Sequence, residues 1–471
     1  MVTAALGLLT MRAVTIFLTP EQYGQLALLL VVQTFCSLLL INPVGMHINR
    51  YTHLWWDEGS LLARLRKYKK YVLTVSLMGG ASVLIVFTNL SSIEMLLMML
   101  AMVLMVNAGT WNGTLVPLLN MIGQRGSAAL WGVTTSVGSL LASVLLCMVW
   151  PNAVAWFVGQ TVGYAVGATG AQLVLHRLAP SQQLFVERPL IDHKTVLSYC
   201  LPLAVGTGFM WLQFNGYRIM VEHYWGLSLL GILSVGFLLA NQIWSLVETL
   251  AQQFLMPLFY KRTAQADLAT ASIVMSDLIN VLLPVYLVLM GMTFVGAPYF
   301  LKLLVAPRFA EAEIFLKIGI GIEFCRVVAN LLSSAAQVTK KTRSIVTPYA
   351  LGATALFILL ILCAVLGLPF YWVAISLLCA SVVMLCTMCM CMLSEIRFLP
   401  DFRRLVIASI MMLLIGLPAL LLDRPADWMQ VFMALLAIGL VGGVAITALL
   451  HGSEALQRFL NTELKQEHIA T

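Results

Sequence analysis

The sequence predicts an all-α polytopic membrane protein with about fourteen transmembrane helices. Of its 471 residues, 61% are hydrophobic and only 10% are charged, whereas about a quarter of the residues of a soluble domain are charged. Apolar runs recur along the whole chain, and they reach the roughly 20 residues that a helix needs to cross a hydrocarbon core about 30 Å thick. Strands of a membrane β-barrel alternate apolar and polar residues, and these continuous runs exclude that pattern.

The apolar runs define the predicted spans and their grouping. The spans are predicted at residues 1–18, 24–45, 71–88, 94–118, 127–149, 153–175, 197–220, 229–254, 274–297, 313–336, 345–366, 371–393, 405–422 and 429–450. We predict a first six-helix bundle in 1–190, a second in 191–395, two additional helices in 396–450 and a tail in 451–471. The first apolar run starts at Met1, so no secretory leader is predicted.

Basic residues in the connectors predict the orientation of the chain. Connectors after even-numbered spans, with the tail, contain twenty Lys and Arg residues, and connectors after odd-numbered spans contain three. Cytoplasmic loops are enriched in these residues, so both termini are predicted to be cytoplasmic, in a bacterial inner membrane. The net charge of +7 is then a topology signal, and nucleic acid is not an expected partner.

No soluble catalytic domain is predicted, because the connectors are short. Function is therefore expected within the membrane, and the protein is not expected to be an enzyme. All nine cysteines lie in apolar runs, and the CxxC pair Cys386 and Cys389 has no histidine or second cysteine pair nearby. We interpret the cysteines as inert thiols, and neither a metal nor another cofactor is predicted.

A weak internal repeat relates two segments of the chain. Arg12 is followed by a polar turn, Gly24 and a long apolar run, and Arg218 is followed in the same way by Gly231. The offset of about 206 residues corresponds to six spans. An even number of spans predicts parallel halves about an axis along the membrane normal, as in several transporter folds.

Four stretches resemble one transporter family in order and spacing. They are FLTPEQYGQLALLL, LLNMIGQRGSAALWG, YRIMVEHYWGLSLLGILSVGFLLANQI and AQVTKKTRSIVTPYALGATALFILLILCAVLGLPFYWVAISLLCASVV. The chain is similar to the polysaccharide flippases of the multidrug/oligosaccharidyl-lipid/polysaccharide exporter superfamily, which have twelve to fourteen helices in two six-helix bundles. One departure is Tyr217, which precedes Arg218 where the family often has aspartate.

This resemblance implies a function and a set of partners. The expected activity is alternating-access translocation of a polyprenyl-diphosphate-linked oligosaccharide, of the undecaprenyl type, for assembly of O-antigen or exopolysaccharide. Membrane lipids, a polysaccharide polymerase and chain-length proteins are the implied partners, with H⁺ or Na⁺ as the coupling ion.

Three arginines within the spans are the predicted substrate-binding residues. A charge inside a membrane usually faces a bundle interior or a water-filled cavity, and guanidinium groups bind phosphate oxygens in a bidentate manner. Arg12 and Arg218 are expected at equivalent positions on opposite bundles, where they would face each other across a V-shaped cleft and bind the diphosphate. Arg326 is the third candidate. Alternatively, Arg12 and Arg218 extend to the outer surface or pair with nearby acids.

Three acidic residues are the predicted ion-coupling residues. Glu248 has no partner close in sequence and is the leading candidate, because a buried carboxylate can exchange a proton as a cavity opens and closes. Glu323 is the second, although its spacing from Arg326 also fits an intrahelical ion pair. Asp277 is the third, and it could instead cap the start of its helix.

Two other functions stay open at this point. A multidrug or cation antiporter of the same superfamily would share the fold, but its cavity should be acidic. A membrane-embedded glycan polymerase or glycosyltransferase should carry a large outer loop with catalytic residues, and no such loop is predicted.

Overall fold

The computed structural model describes residues 2–87, 91–178, 193–264, 266–339, 341–417 and 427–458. Its helices are α1 Val2–Phe17, α2 Pro20–Phe35, α3 Asn42–Asp57, α4 Leu61–Val86, α5 Ser92–Met121, α6 Arg125–Val149, α7 Ala153–Leu178, α8 His193–Trp211, α9 Tyr217–Trp225, α10 Leu227–Phe254, α11 Met256–Thr263, α12 Leu268–Leu304, α13 Ala312–Val338, α14 Val346–Val365, α15 Tyr371–Glu395, α16 Phe402–Gly416 and α17 Trp428–Leu450. These residues contain no strand, and the predicted all-α class is confirmed.

Each predicted span falls on a helix to within a residue or so at its ends, and residues 1, 88 and 418–422 of the spans lie outside the described residues. Within the described residues, nine helices are long and apolar enough to cross a membrane, with Pro20–Asp57 counted as one. Several helices start earlier than predicted: α4 begins at Leu61 instead of residue 71. Hydropathy detects only the apolar part of a helix, whereas the helix continues through its polar first turns.

Two helices contain π-helical segments. Cys36–Ile41 joins α2 to α3, and Leu212–Gly216 joins α8 to α9. In the first segment, the Asn42 N–H donates to the Ser37 carbonyl, five residues earlier. Pro43 follows and has no N–H to donate. Such segments are rare and often occur at functional sites.

The chain forms two compact units, Met1–Ser234 and Val235–Thr471. The predicted bundles 1–190 and 191–395 were derived from the repeat and the counting of spans, and that division stays a prediction.

Small residues bring α6 and α7 of the first unit into backbone contact. A Cβ atom added at Gly163 would overlap the backbone nitrogen of Ser139, and one at Gly159 would overlap the backbone of Ser143. The two serine hydroxyl groups donate to carbonyls of α7, at 3.1 Å for Ser139 and 2.9 Å for Ser143. Helices associate in lipid through close packing and interhelical hydrogen bonds, because the hydrophobic effect contributes little to helix association there.

A reciprocal glycine contact joins the start of α2 to the start of α10. A Cβ atom at Gly24 would overlap the carbonyl oxygen of Leu227, and a Cβ atom at Gly231 would overlap the carbonyl oxygen of Pro20. Gly24 lies four residues after Pro20, and Gly231 lies four residues after Leu227. The contact is therefore reciprocal, and the two segments are related by an offset of 207 residues. The two glycines that align in the predicted repeat are therefore packed against each other.

Polar contacts link connectors that the sequence predicts on the same side of the membrane. In the first unit, Gln22 Nε2 donates to the carbonyl of Pro151 at 2.8 Å, between two predicted outer connectors. In the second unit, Lys341 forms an ion pair with Glu395 at 2.9 Å, and Arg404 Nη2 donates to the Gly452 carbonyl at 3.1 Å, between predicted inner connectors. These contacts agree with the alternation of connectors, while the cytoplasmic assignment stays a prediction from charge.

Candidate functional site: charged residues within the helices

A buried arginine in the second unit holds two of the predicted coupling residues together. Arg326 Nη1 donates to Glu248 Oε2 at 2.9 Å, and Arg326 Nε donates to Glu323 Oε2 at 2.7 Å. The side chains are 17%, 16% and 9% exposed for Arg326, Glu248 and Glu323. The intrahelical pair with Glu323 is thus formed as its spacing suggested, whereas the partner of Glu248 comes from another helix.

Neutral polar side chains satisfy the remaining carboxylate oxygens. Asn241 Nδ2 lies 3.2 Å from both oxygens of Glu323, and Asn330 Nδ2 donates to Glu248 Oε1 at 2.7 Å. The hydroxyl of Tyr349 donates to Asn330 Oδ1 at 3.3 Å. We refer to these residues as the charge network, which consists of Asn241, Glu248, Glu323, Arg326, Asn330 and Tyr349.

Helical periodicity places these side chains on facing sides of two helices. Asn241 and Glu248 are seven residues apart on α10, and Glu323 and Asn330 are seven apart on α13, so each pair lies on one helix face. Arg326 lies between the latter two, at three and four residues. The repeated spacing is a sequence signal for the network, but it does not say which two helices face each other.

The charge network contains two carboxylates and one guanidinium group, so its formal charge is −1. A proton or a small cation would neutralise it. In addition, Arg326 Nη2 is buried and has no hydrogen-bond acceptor among the described residues. A buried donor of this kind is unusual and calls for an explanation. The carboxylates are therefore candidates to take up a proton or cation, and the guanidinium group is a candidate donor to an anionic oxygen.

The other two predicted substrate arginines, Arg12 and Arg218, lie in the first unit and are both half-buried. Arg218 is the second residue of α9, with its guanidinium carbon 5.8 Å from the centre of the Tyr217 ring. Its Nε atom is buried and has no acceptor among the described residues.

Arg12 and Arg218 are not in strict register. Arg12 lies five residues before the end of α1 at Phe17, and Arg218 lies seven before the end of α9 at Trp225, a difference in depth of about 3 Å. The glycine contact gives an offset of 207 for the following helices, whereas the two arginines are 206 residues apart. Their placement on facing walls of a cleft stays a prediction.

Asp277, the third predicted coupling residue, forms an ion pair with the tail. Its side chain is 2% exposed, and its Oδ1 accepts from Arg458 Nη2 at 2.7 Å, while Arg458 Nε lies 3.1 Å from both oxygens. The capping alternative for Asp277 is wrong, because α12 starts at Leu268 and its N-cap is Asp267. Hydrogen bonds to the Asp277 carboxylate raise the pKa of Arg458 above its ordinary value. The sequence did not predict this role for Arg458, which lies in the predicted tail 451–471.

Comparison with known proteins defines the class of this fold. No protein-family model and no curated protein sequence matches the chain. The structure is similar to one described as lipid II flippase MurJ in an inward closed conformation, with a TM-score of 0.65 and 12% identity over 95% of this chain and 96% of that one. The chain therefore has the fold of a membrane transporter, and the predicted fold class is confirmed.

Two further structures give lower scores. One is an inward-facing multidrug resistance MATE family transporter of the MOP superfamily, with a TM-score of 0.49 and 12% identity over 83% of this chain and 95% of that one. The other is the eukaryotic MATE transporter AtDTX14, with a TM-score of 0.46 and 13% identity over 93% and 97% of the two chains. The likeness to the polysaccharide flippases in particular stays a prediction.

Proposed function

We propose that this protein is a flippase that moves a polyprenyl-diphosphate-linked oligosaccharide from the inner to the outer leaflet of a bacterial inner membrane. The observation that carries the proposal is the fold, which is similar to that of a lipid II flippase over 95% of the chain. Translocation would proceed by alternating access and would supply surface polysaccharide assembly. Net movement then depends on a ligand that binds the inward and outward states with different affinities.

The diphosphate is the part of this substrate that the arginines would bind. Arg218 Nε and Arg326 Nη2 are buried donors without acceptors among the described residues, and phosphate oxygens are acceptors that match a guanidinium group. A diphosphate would satisfy donors that the protein leaves unpaired. Arg12 is the third arginine assigned to this role, from its position in the first predicted span.

Replacing Arg218 or Arg12 with alanine is expected to abolish transport, because neither variant can bind phosphate oxygens at that position. Arg218→Lys should also lose most activity, because an ammonium group cannot reproduce bidentate binding. The measurement is surface glycan in a flippase-null strain that expresses each variant at equal protein level. The control is Arg125→Ala at the exposed start of α6, which should retain activity. Full surface glycan in both alanine variants would refute the arginine assignment.

Ion coupling is assigned to Glu248 and Glu323 in the charge network, with Asp277 as a third candidate. Arg326 already neutralises one of the two carboxylates at 2.7–2.9 Å. An anionic oxygen at Arg326 Nη2 would compete for the same guanidinium charge, and the carboxylates would then bind a proton or cation more readily. Substrate binding and cation binding at the charge network would thereby be linked to each other.

Glu248→Gln and Glu323→Gln are each expected to reduce transport by at least about tenfold, because glutamine keeps the size of the side chain but cannot take up a proton. Complementation of the flippase-null strain measures the loss. Glu313→Gln is the control, because Glu313 pairs with Lys317 at 3.0 Å in the first turns of α13. Wild-type transport in both network variants, at equal protein level and thermal stability, would show that the carboxylates are structural.

Cation antiport is a second candidate function, and the formal charge of −1 on the charge network favours it. Such a transporter would bind cationic compounds at the carboxylates of Glu248 and Glu323. Expression in a drug-sensitive strain distinguishes the two functions: an antiporter would raise resistance to cationic dyes, whereas a flippase would restore surface glycan and leave dye resistance unchanged.

A further inference from the structure

A second polar feature lies in the first unit. It is a cavity of about 270 Å³ between the continuous helix Pro20–Asp57 and α5. Its polar lining consists of Gln33, Ser37, Asn42, Asn49, Thr110 and Thr114, and Leu38, Met105 and Val106 provide apolar wall. No charged residue lines it in the part of the chain that the structure describes.

Three amide side chains in this cavity are available to a ligand. Gln33, Asn42 and Asn49 make no side-chain hydrogen bond to another described residue. An amide group carries both donors and acceptors, so it can bind a hydroxyl group in either sense. The π-helical segment Cys36–Ile41 separates Gln33 from Asn42 and lines part of the same cavity.

Thr114 adds an available hydroxyl group to this polar lining. Its side chain belongs to a residue only 7% exposed, yet its hydroxyl has no hydrogen-bond partner among the described residues. Thr110, one turn earlier on the same helix, donates to the Val106 carbonyl at 2.6 Å, as helical threonines commonly do. Thr114 thus presents on the cavity wall a hydroxyl group that can donate to, or accept from, a ligand.

Glycines keep the cavity open. A Cβ atom at Gly45, Gly109 or Gly113 would meet no other atom within 4 Å, and all three residues line the cavity. At Gly24 and Gly163, by contrast, a neighbouring helix occupies the space where a Cβ atom would lie. Glycine weakens a helix by about 0.5–1 kcal/mol relative to alanine, and at the three cavity positions no helix contact compensates for this loss. At these three positions the space beside the backbone opens into the cavity, so a ligand could approach the backbone closely there.

We propose that this cavity binds a sugar unit of the lipid-linked substrate, an inference that rests on the proposed flippase function. The ligand is neutral, because no charge lines the cavity, and it is rich in hydroxyl groups, because amides and hydroxyls line it. A pyranose ring also presents apolar C–H faces, which suit Leu38 and Val106. A diphosphate would lack cationic partners here, and a polyprenyl chain would leave the amides unpaired.

The test measures the affinity of the purified full-length protein for two probes, undecaprenyl diphosphate and undecaprenyl diphosphate that carries N-acetylglucosamine. We expect the wild type to bind the sugar-bearing probe at least about tenfold more tightly. Gly113→Leu fills the cavity and should remove this difference while binding of the bare diphosphate stays unchanged. Thr114→Val, which removes only the hydroxyl group, should reduce the difference. Gly443→Leu on α17, where a Cβ atom also meets nothing within 4 Å, should behave as the wild type.

Two results would overturn the inference separately from the proposed function. Equal affinity of the wild type for both probes would show that no sugar site exists although the diphosphate is bound. An equal loss for both probes in Gly113→Leu would show that the cavity serves the whole substrate. If the wild type bound neither probe, the flippase function and the sugar site would both be refuted.

Discussion

Replacing Arg326 with alanine is expected to lower the free energy of unfolding by about 3–5 kcal/mol, because removing one partner of a buried ion pair leaves uncompensated charge. Here the loss affects two carboxylates, since Glu248 and Glu323 bind the same guanidinium group at 2.9 and 2.7 Å. The measurement is thermal unfolding of the purified protein in detergent. Lys317→Ala is the control: Lys317 pairs with Glu313 at 3.0 Å and is 23% exposed, and a pair of this kind contributes less than about 1 kcal/mol.

Neutralising the whole charge network distinguishes charge from packing. The triple variant Arg326→Met, Glu248→Gln, Glu323→Gln should recover most of the stability that Arg326→Ala loses, because well-packed neutral replacements of a buried ion pair are often tolerated. The coupling should appear as strong non-additivity between neighbouring substitutions. If the triple variant were less stable than Arg326→Ala, packing of the long arginine side chain would be the larger contribution.

Gly24→Ala and Gly231→Ala are each expected to destabilise the protein by about 3 kcal/mol, at the upper end of the usual cost of overpacking. An added methyl group would overlap a backbone carbonyl oxygen, of Leu227 or of Pro20, and no side-chain rotation can relieve that overlap. The helices α2 and α10 would have to separate at this corner. Thermal unfolding in detergent measures the loss, and complementation at equal protein level shows whether transport depends on the contact.

Because this glycine contact is reciprocal, we expect a specific result for the double variant Gly24→Ala, Gly231→Ala. Once one methyl group has separated the two helices, the second should cost much less, so the two effects should be clearly less than additive. Gly443→Ala is the matched control, because no atom lies within 4 Å of its added Cβ, and it should raise stability slightly through helix propensity. Additive losses in the double variant would show that the two glycines do not share one contact.

Most of the fold followed from the length and polarity of the apolar runs. Within the described residues, the fourteen predicted spans lie on helices except for single end residues, namely Leu18, Phe87 and Leu366, because backbone groups in lipid must be satisfied within the segment. Helix ends were less predictable: α12 runs from Leu268 to Leu304, well beyond the predicted 274–297. Hydropathy marks where lipid begins, while a helix ends where capping or a turn interrupts its hydrogen bonds.

The candidate site was predictable in part. The pair of Glu323 and Arg326 followed from their spacing on one helix, and it is formed. The partner of Glu248 did not follow, because it lies 78 residues away and is set by the packing of α10 against α13. The cavity between helix Pro20–Asp57 and α5 did not follow either, because nothing in the sequence near Thr114 or the open glycines predicts it. A glycine in the sequence does not indicate whether another helix or open space lies beside it in the fold.

The sequence alone determined the all-α membrane class, the order of the apolar helices, and which few residues carry charge inside them. These properties depend on the interaction of each segment with lipid, and every segment carries that information itself. Only the tertiary structure decided that Glu248, Glu323 and Arg326 form one network, that Asp277 binds Arg458, and that Gly24 packs on Gly231. The physical reason is that lipid leaves the choice of neighbour to close packing and hydrogen bonds between helices, and those depend on both surfaces at once.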